Sequence, residues 1–315
     1  MIRKAIIISI SGTRLTKAET KIIKEDKPWG LILFKRNISS ETQITNLIKK
    51  IRKTIGDTKY PILIDEEGGR VTRLSRLLDN SLFDQKYFGD IYTLNKNLGS
   101  ALLKTYINSL SFFLNKIGVN INTTPVLDLL KKNTHKVIGN RSFSSNTKIV
   151  NELGRLCVKL YKKNKLATVI KHIPGHGSAN LDSHLSLPKV NKNYKLLKKK
   201  DFKCFEGLSS FFAMTAHILY TKIDIQNNAT HSNVIINKII RTHIGFKGIL
   251  ISDDISMKAL KYDLSKNANL ALNAGCNLVL YCAGKTNEMQ KLLSEIPNID
   301  NFTKKKTSEF YRFLS

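Results

Sequence analysis

Cysteine, acidic residues and long apolar runs are all in short supply in this chain, and each shortage excludes something. The four cysteines, Cys157, Cys204, Cys276 and Cys282, show neither zinc-type nor redox spacing and read as reduced core or surface thiols. No apolar stretch approaches the roughly 20 residues a membrane-crossing helix needs. The early run AIIISI is shorter than a secretory apolar region, and no small-residue cleavage site follows it. A cytoplasmic protein with no membrane partner is expected. A Gly-rich phosphate turn is missing too, because Ser11-Gly12-Thr13 matches that pattern poorly.

The scarcity of acid leaves 52 Lys+Arg against 24 Asp+Glu, a formal net charge of +28. A nucleic-acid binder should gather such charge into one patch with interleaved aromatics. Here the lysines run through nearly every amphipathic segment, as in KKIRK, KKNTHK, KLLKKK and TKKK. Spread in this way, and accompanied by abundant Asn and Ile, they read as solvated helix faces. No nucleic-acid partner is expected, and the chain is taken as a monomer. At 315 residues, 42% hydrophobic and 24% charged, it has the composition of a soluble globular domain.

Eight apolar runs bounded by turn residues read as strands: AIIISI from Ala5, GLILFK from Gly30, PILID from Pro61 and VNINTTPVLD from Val119, then ATVIKH from Ala167, FFAMTAH from Phe211, GILISD from Gly248 and NLVLYC from Asn277. Helical spacing fills the intervals. SETQITNLIKKIRKTIG opens with Ser40 placed as an N-cap, and NVIINKIIRTHIG stops at Gly245. Eight strand–helix alternations predict an α/β fold of the closed (β/α)8 type, a TIM barrel, as a single domain. A doubly wound open sheet is the rival, and the missing phosphate turn counts against it.

The polar residues collect at strand ends. Asp65-Glu66-Glu67-Gly68-Gly69-Arg70 follows the third strand, and Pro125-Val126-Leu127-Asp128 closes the fourth. Lys171-His172 begins the exit from the fifth, Ala216-His217 ends the sixth and Ser252-Asp253-Asp254 ends the seventh. In a parallel barrel these ends share one face, where active sites are built. Plainer roles remain open at this point: Asp254 suits a helix N-cap and Asp128 a structural carboxylate. His135, His231 and His243 read as incidental. The segment from His172 to His184 has the ligand types for zinc, but its spacing does not place two of them on one helical face, so no metal is expected.

The stretches ILFKRN, DEEGGRVTRL, PVLDL, IGNRSFSS, KHIPGHGSANLDSHLSLP, AHILYTKID, HIGFKGILISDDISMKAL and AGCNLVL resemble, in order, the bacterial β-N-acetylglucosaminidases of glycoside hydrolase family 3, the single-domain type involved in peptidoglycan recycling. They cover most of the chain between residues 30 and 285. The resemblance implies Asp253 as nucleophile, His184 as general acid/base and Asp182 as the carboxylate that orients it. It implies Asp65, Arg70, Arg141, Lys171 and His172 as residues holding the sugar hydroxyls, and places Met257 beside the nucleophile loop. No cofactor is implied. The implied substrate is a terminal β-linked N-acetylglucosamine, carried by an anhydro-muramyl peptide or another amino sugar. Glu66 stands where glutamine is more usual, Asn140 where an acid commonly precedes the arginine, and Asn228 where proline often precedes Ala229.

An imidazole titrating near pH 6.5 suits proton transfer at neutral pH, and a neighbouring carboxylate stabilises its charged form. Gly175 and Gly177 suggest a loop that brings His184 to Asp253 only when substrate is bound. Three rivals are separable. A β-glucosidase would lack the KHIPGHG…DSH loop; a phosphorylase would release a sugar 1-phosphate; a non-catalytic glycan binder would lack at least one of Asp253, His184 and Asp182.

Overall fold

The computed structural model describes residues 2–131, 138–178 and 186–315. Eight parallel strands close on themselves: β1 (Lys4–Ile8), β2 (Pro28–Leu33), β3 (Ile62–Ile64), β4 (Ile121–Asn122), β5 (Ala167–Ile173), β6 (Phe212–Thr215), β7 (Ile249–Asp254) and β8 (Leu278–Tyr281). β1 pairs with both β2 and β8, so the barrel has no open edge. The doubly wound alternative is thereby excluded. Each expected apolar run contributes a strand, and these strands are buried along nearly their whole length, as a sheet covered on both faces requires.

The helices between them bury one stripe each. In the helix Glu41–Ile55, Ser40 caps the N-terminus by accepting from the Gln43 N–H, and Ile44, Leu47, Ile48 and Ile51 face the barrel. Gly56 ends the helix in the left-handed conformation at φ 70°. At the opposite end of the chain, the helix Asn301–Leu314 lays Phe310 against Phe211 and Phe212, and its Thr307 hydroxyl accepts from the buried Trp29 indole at 2.9 Å. That contact seals the barrel floor and leaves the C-terminal strand ends as the open face.

Two elements differ from expectation. The fourth strand is only two residues long: from the Asn122–Thr168 pair to the Val126–Lys171 bridge this chain advances four residues against three, so an extra residue interrupts the ladder. The chain nonetheless stays beside β5: Leu127 N–H donates to the Lys171 carbonyl at 2.7 Å and Lys171 N–H to the Pro125 carbonyl at 3.1 Å. Asp128 is thus delivered to the rim by an irregular segment. The segment Ile235–His243 winds as a π-type helix, with Ile235, Ile236, Ile239 and Ile240 buried.

Candidate active site

At the open face, the ends of β3, β5 and β7 surround a cavity of about 140 Å³, the scale of a space that admits one small ring. Its charged lining is Asp65, Arg73, Arg141, Lys171 and His172, with Thr123. Its apolar lining is Ile32, Phe34, Met214, Met257 and Leu280, with Cys282. Asp253 and Asp254 line it too.

The charged lining is a network. Lys171, 2% exposed, donates from Nζ to Asp65 Oδ1 and is paired with Glu67 Oε1, both at 2.6 Å. Arg73 pairs with the other Asp65 oxygen. Arg141 grips Glu67 through Nε at 2.7 Å and a terminal nitrogen at 2.8 Å, the two-pronged geometry that suits a guanidinium. Burial alone would raise the Asp65 and Glu67 carboxyls. Lys171 and Arg73 overcome it and hold Asp65 well below the usual range; Arg141 and Lys171 do the same, less strongly, for Glu67. Three cations therefore face two carboxylates here, and the Asp253 carboxyl lines the same cavity.

His172 is set by Asp128. Its Nδ1 lies 2.6 Å from Asp128 Oδ2, while Asp128 Oδ1 accepts the His176 N–H, also at 2.6 Å. A carboxylate cannot donate, so Nδ1 carries the proton and Nε2 is turned toward Arg141, 3.5 Å away. The structural reading of Asp128 holds in this sense: it orients a ring that lines the cavity.

Asp253 is the penultimate residue of β7. Its Oδ1 accepts the N–H of Asp254 at 2.8 Å. The Asp254 side chain turns to the following loop and accepts from Ser256 N–H at 3.1 Å, Ser256 Oγ at 2.7 Å and Cys282 N–H at 3.2 Å. It caps a turn and no helix, since the next helix, Leu264–Ala274, begins ten residues later with Asp263 as its cap.

Of the expected site residues, Asp65, Arg141, Lys171, His172, Asp253 and Met257 come together in this cavity. Arg70 does not. It is exposed, it points to the Ile138 carbonyl at 3.4 Å, and Arg73 takes the place beside Asp65. The physical reason is the buried Glu66, whose Oε2 accepts from Thr72 Oγ1 at 3.1 Å, Arg73 N–H at 2.7 Å and Leu74 N–H at 3.1 Å, while Oε1 accepts from Asn80 at 3.2 Å. These bonds curl the loop back so that the second arginine returns to the strand end. Glu66 therefore acts beneath the cavity and adds no charge to its lining. Asn140 likewise faces outward, donating to Asp84 at 2.6 Å. Glu67, Arg73 and Thr123 escaped the sequence reading, although the first two lie within the quoted DEEGGRVTRL. Asp182 and His184 fall outside the described residues, as does His135. Among the described residues, no group of three His, Cys, Asp or Glu is arranged to hold a metal ion.

A closed parallel barrel whose C-terminal rim gathers carboxylates and cations around a ring-sized cavity is the architecture of many glycoside hydrolases, and comparison with known proteins specifies the family. Residues 3–309 match the glycosyl hydrolase family 3 N-terminal domain, and the chain belongs to that family. Within it the chain stands with the β-N-acetylhexosaminidases. A beta-hexosaminidase of Nitrosomonas eutropha is 34% identical over 284 residues, covering 88% of this chain and 80% of that protein. A beta-hexosaminidase of Bordetella pertussis is 32% identical, covering 88% and 79%. The crystal structure of NagZ from Neisseria gonorrhoeae in complex with N-trifluoroacetyl-D-glucosamine superposes with a TM-score of 0.88 at 28% identity, covering 100% of this chain and 90% of that one.

Proposed function

We propose that this protein is a retaining, exo-acting β-N-acetylglucosaminidase that forms a covalent glycosyl-enzyme on Asp253. The observation that carries the reading is the placement of Asp253 at the end of β7, in the same ring-sized cavity as the Asp65–Lys171–Glu67–Arg141 network. In the first step an Asp253 oxygen bonds to the anomeric carbon as the bond to the leaving oxygen breaks, and that oxygen takes a proton from His184. In the second, water attacks the same carbon, gives its proton back to His184 and releases Asp253. Asp182 would hold and charge the imidazole.

His184 and Asp182 enter by resemblance alone, since both lie outside the described residues. The Lys171, Arg141 and Arg73 cations, with Asp65 and His172, would hold the sugar hydroxyls. The apolar lining of Met257, Met214 and Leu280 suits the methyl of an acetamido group. The substrate we propose, on the family resemblance, is N-acetylglucosaminyl-1,6-anhydro-N-acetylmuramyl peptide, in cytoplasmic peptidoglycan recycling. Among the described residues, no helix is long and apolar enough to cross a membrane.

The test is kinetics on aryl β-N-acetylglucosaminides. Asp253→Asn abolishes turnover, and His184→Ala suffers least on substrates with good leaving groups, which need little protonation. The sugar is released first as the β anomer. Release of the α anomer, or a sugar 1-phosphate as the main product in phosphate buffer, overturns the reading.

A further inference from the structure

The imidazole of His217 is wholly buried behind the nucleophile strand and takes no part in the scheme above. Its Nε2 lies 3.0 Å from the carbonyl oxygen of Asp254, and its Nδ1 lies 2.8 Å from Thr230 Oγ1, which in turn is 2.8 Å from Thr215 Oγ1. The directions of these bonds can be assigned from one end. A carbonyl only accepts, so Nε2 carries the hydrogen. In the uncharged ring Nδ1 is then the acceptor; Thr230 donates to it, and Thr215 donates to Thr230. Burial pushes the imidazole pKa down, with Asp253 and Asp254 pulling partly the other way, which keeps the ring in that uncharged form. The titratable groups around it are Asp253 and Asp254 on β7, His172 on β5 and His231 on the turn after β6.

We propose that His217 is a positioning residue for the nucleophile, its Nε2–H fixing the Asp254 carbonyl and thereby the backbone from which the Asp253 carboxylate is aimed. The proposal rests on the assignment of Asp253 as nucleophile. The Asp254 residue is held at both ends: its N–H bonds to Asp253 Oδ1, its carbonyl to His217, and the next N–H, of Ile255, bonds to the Leu280 carbonyl at 2.9 Å. The nucleophile carboxylate is therefore oriented by a peptide unit whose neighbour His217 restrains. Without that donor the half-buried carbonyl loses its partner and the strand end can rotate.

The imidazole presents an acceptor and a donor on either side of one carbon atom, and the glutamine amide does the same without a titratable proton. His217→Gln therefore keeps the chain of bonds, whereas His217→Leu breaks it and Thr230→Val removes the hydroxyl that selects the tautomer. All three are compared with wild type by kcat and KM on an aryl β-N-acetylglucosaminide, with active sites counted by a slow-turnover fluorosugar so that only folded enzyme is scored. The expected result is a fall of about 100-fold in kcat for His217→Leu at nearly constant KM, the scale of a misaligned reacting group. Thr230→Val falls by about tenfold, and His217→Gln stays within about tenfold of wild type. Equal losses in His217→Gln and His217→Leu, or a kcat within about threefold of wild type in Thr230→Val and in folded His217→Leu, overturn the proposal. Asp253→Asn is measured alongside: residual turnover there defeats the nucleophile assignment itself, while indifferent His217 and Thr230 variants defeat only the positioning role.

Discussion

Replacing Lys171 by methionine tests the electrostatic account of the cavity most directly. The residue is 2% exposed and its ammonium sits 2.6 Å from both Asp65 and Glu67. Methionine fills most of the volume, so the change isolates the charge. Asp65 would retain Arg73 and Glu67 would retain Arg141, but two buried carboxylates would share two cations instead of three. Removing one partner from a buried ion pair costs about 3–5 kcal/mol. For a chain of this size that is a fall in Tm of roughly 5–10 °C. The pH dependence gives the sharper criterion. Both carboxyls are held below their ordinary range in the native protein, so the stability they contribute is present above the unfolded carboxylate values and is lost as pH falls through the depressed ones. The variant lacks much of this contribution, so its deficit is greatest near pH 7 and shrinks as the pH falls below about 4. Urea unfolding of both proteins across this range measures it. A deficit under about 1 kcal/mol, or one that does not change with pH, would refute the account.

Three further outcomes follow from the same contacts. His176 is 3% exposed, and burial depresses its imidazole to about 4, with Asp128 partly offsetting. The unfolded chain, with histidine near 6.5, takes up the proton first. Stability therefore falls as pH drops from 6.5 toward 4, by up to about 3 kcal/mol, and His176→Gln removes that part of the slope in chemical denaturation; an unchanged slope would contradict it. Glu66→Gln keeps an acceptor oxygen for the loop and places no new group in the cavity, so kcat and KM stay within about threefold of wild type; a tenfold loss would show that the carboxylate is needed. In the helix Gln85–Leu94, a methyl added at Gly89 would run into the Phe143 carbonyl, two residues from Arg141. Gly89→Ala is expected to cost about 1–3 kcal/mol and to lower kcat/KM as Arg141 shifts; unaltered thermal unfolding would exclude the clash.

The eight barrel strands were legible in the sequence because a strand covered on both faces must be apolar throughout, and such runs stand out between amphipathic helices. Their ends then located Asp65, Lys171, His172 and Asp253 on one rim, since parallel strands in a barrel all finish on the same face. Arg141 and Met257 came from the family resemblance, because they lie in loops whose paths no periodicity describes. Tertiary structure alone decided the rest. The choice of Arg73 over Arg70 depends on a loop curled around the Glu66 carboxylate, a contact that exists only once that side chain is buried. The Arg141–Glu67 and Lys171–Asp65 pairs join residues 74 and 106 positions apart, which only closure of the barrel brings within bonding distance. Local pattern reports which residues are buried and on which side of an element they fall. Partnership between charges is set by where separate elements end in space, and that is a property of the closed fold.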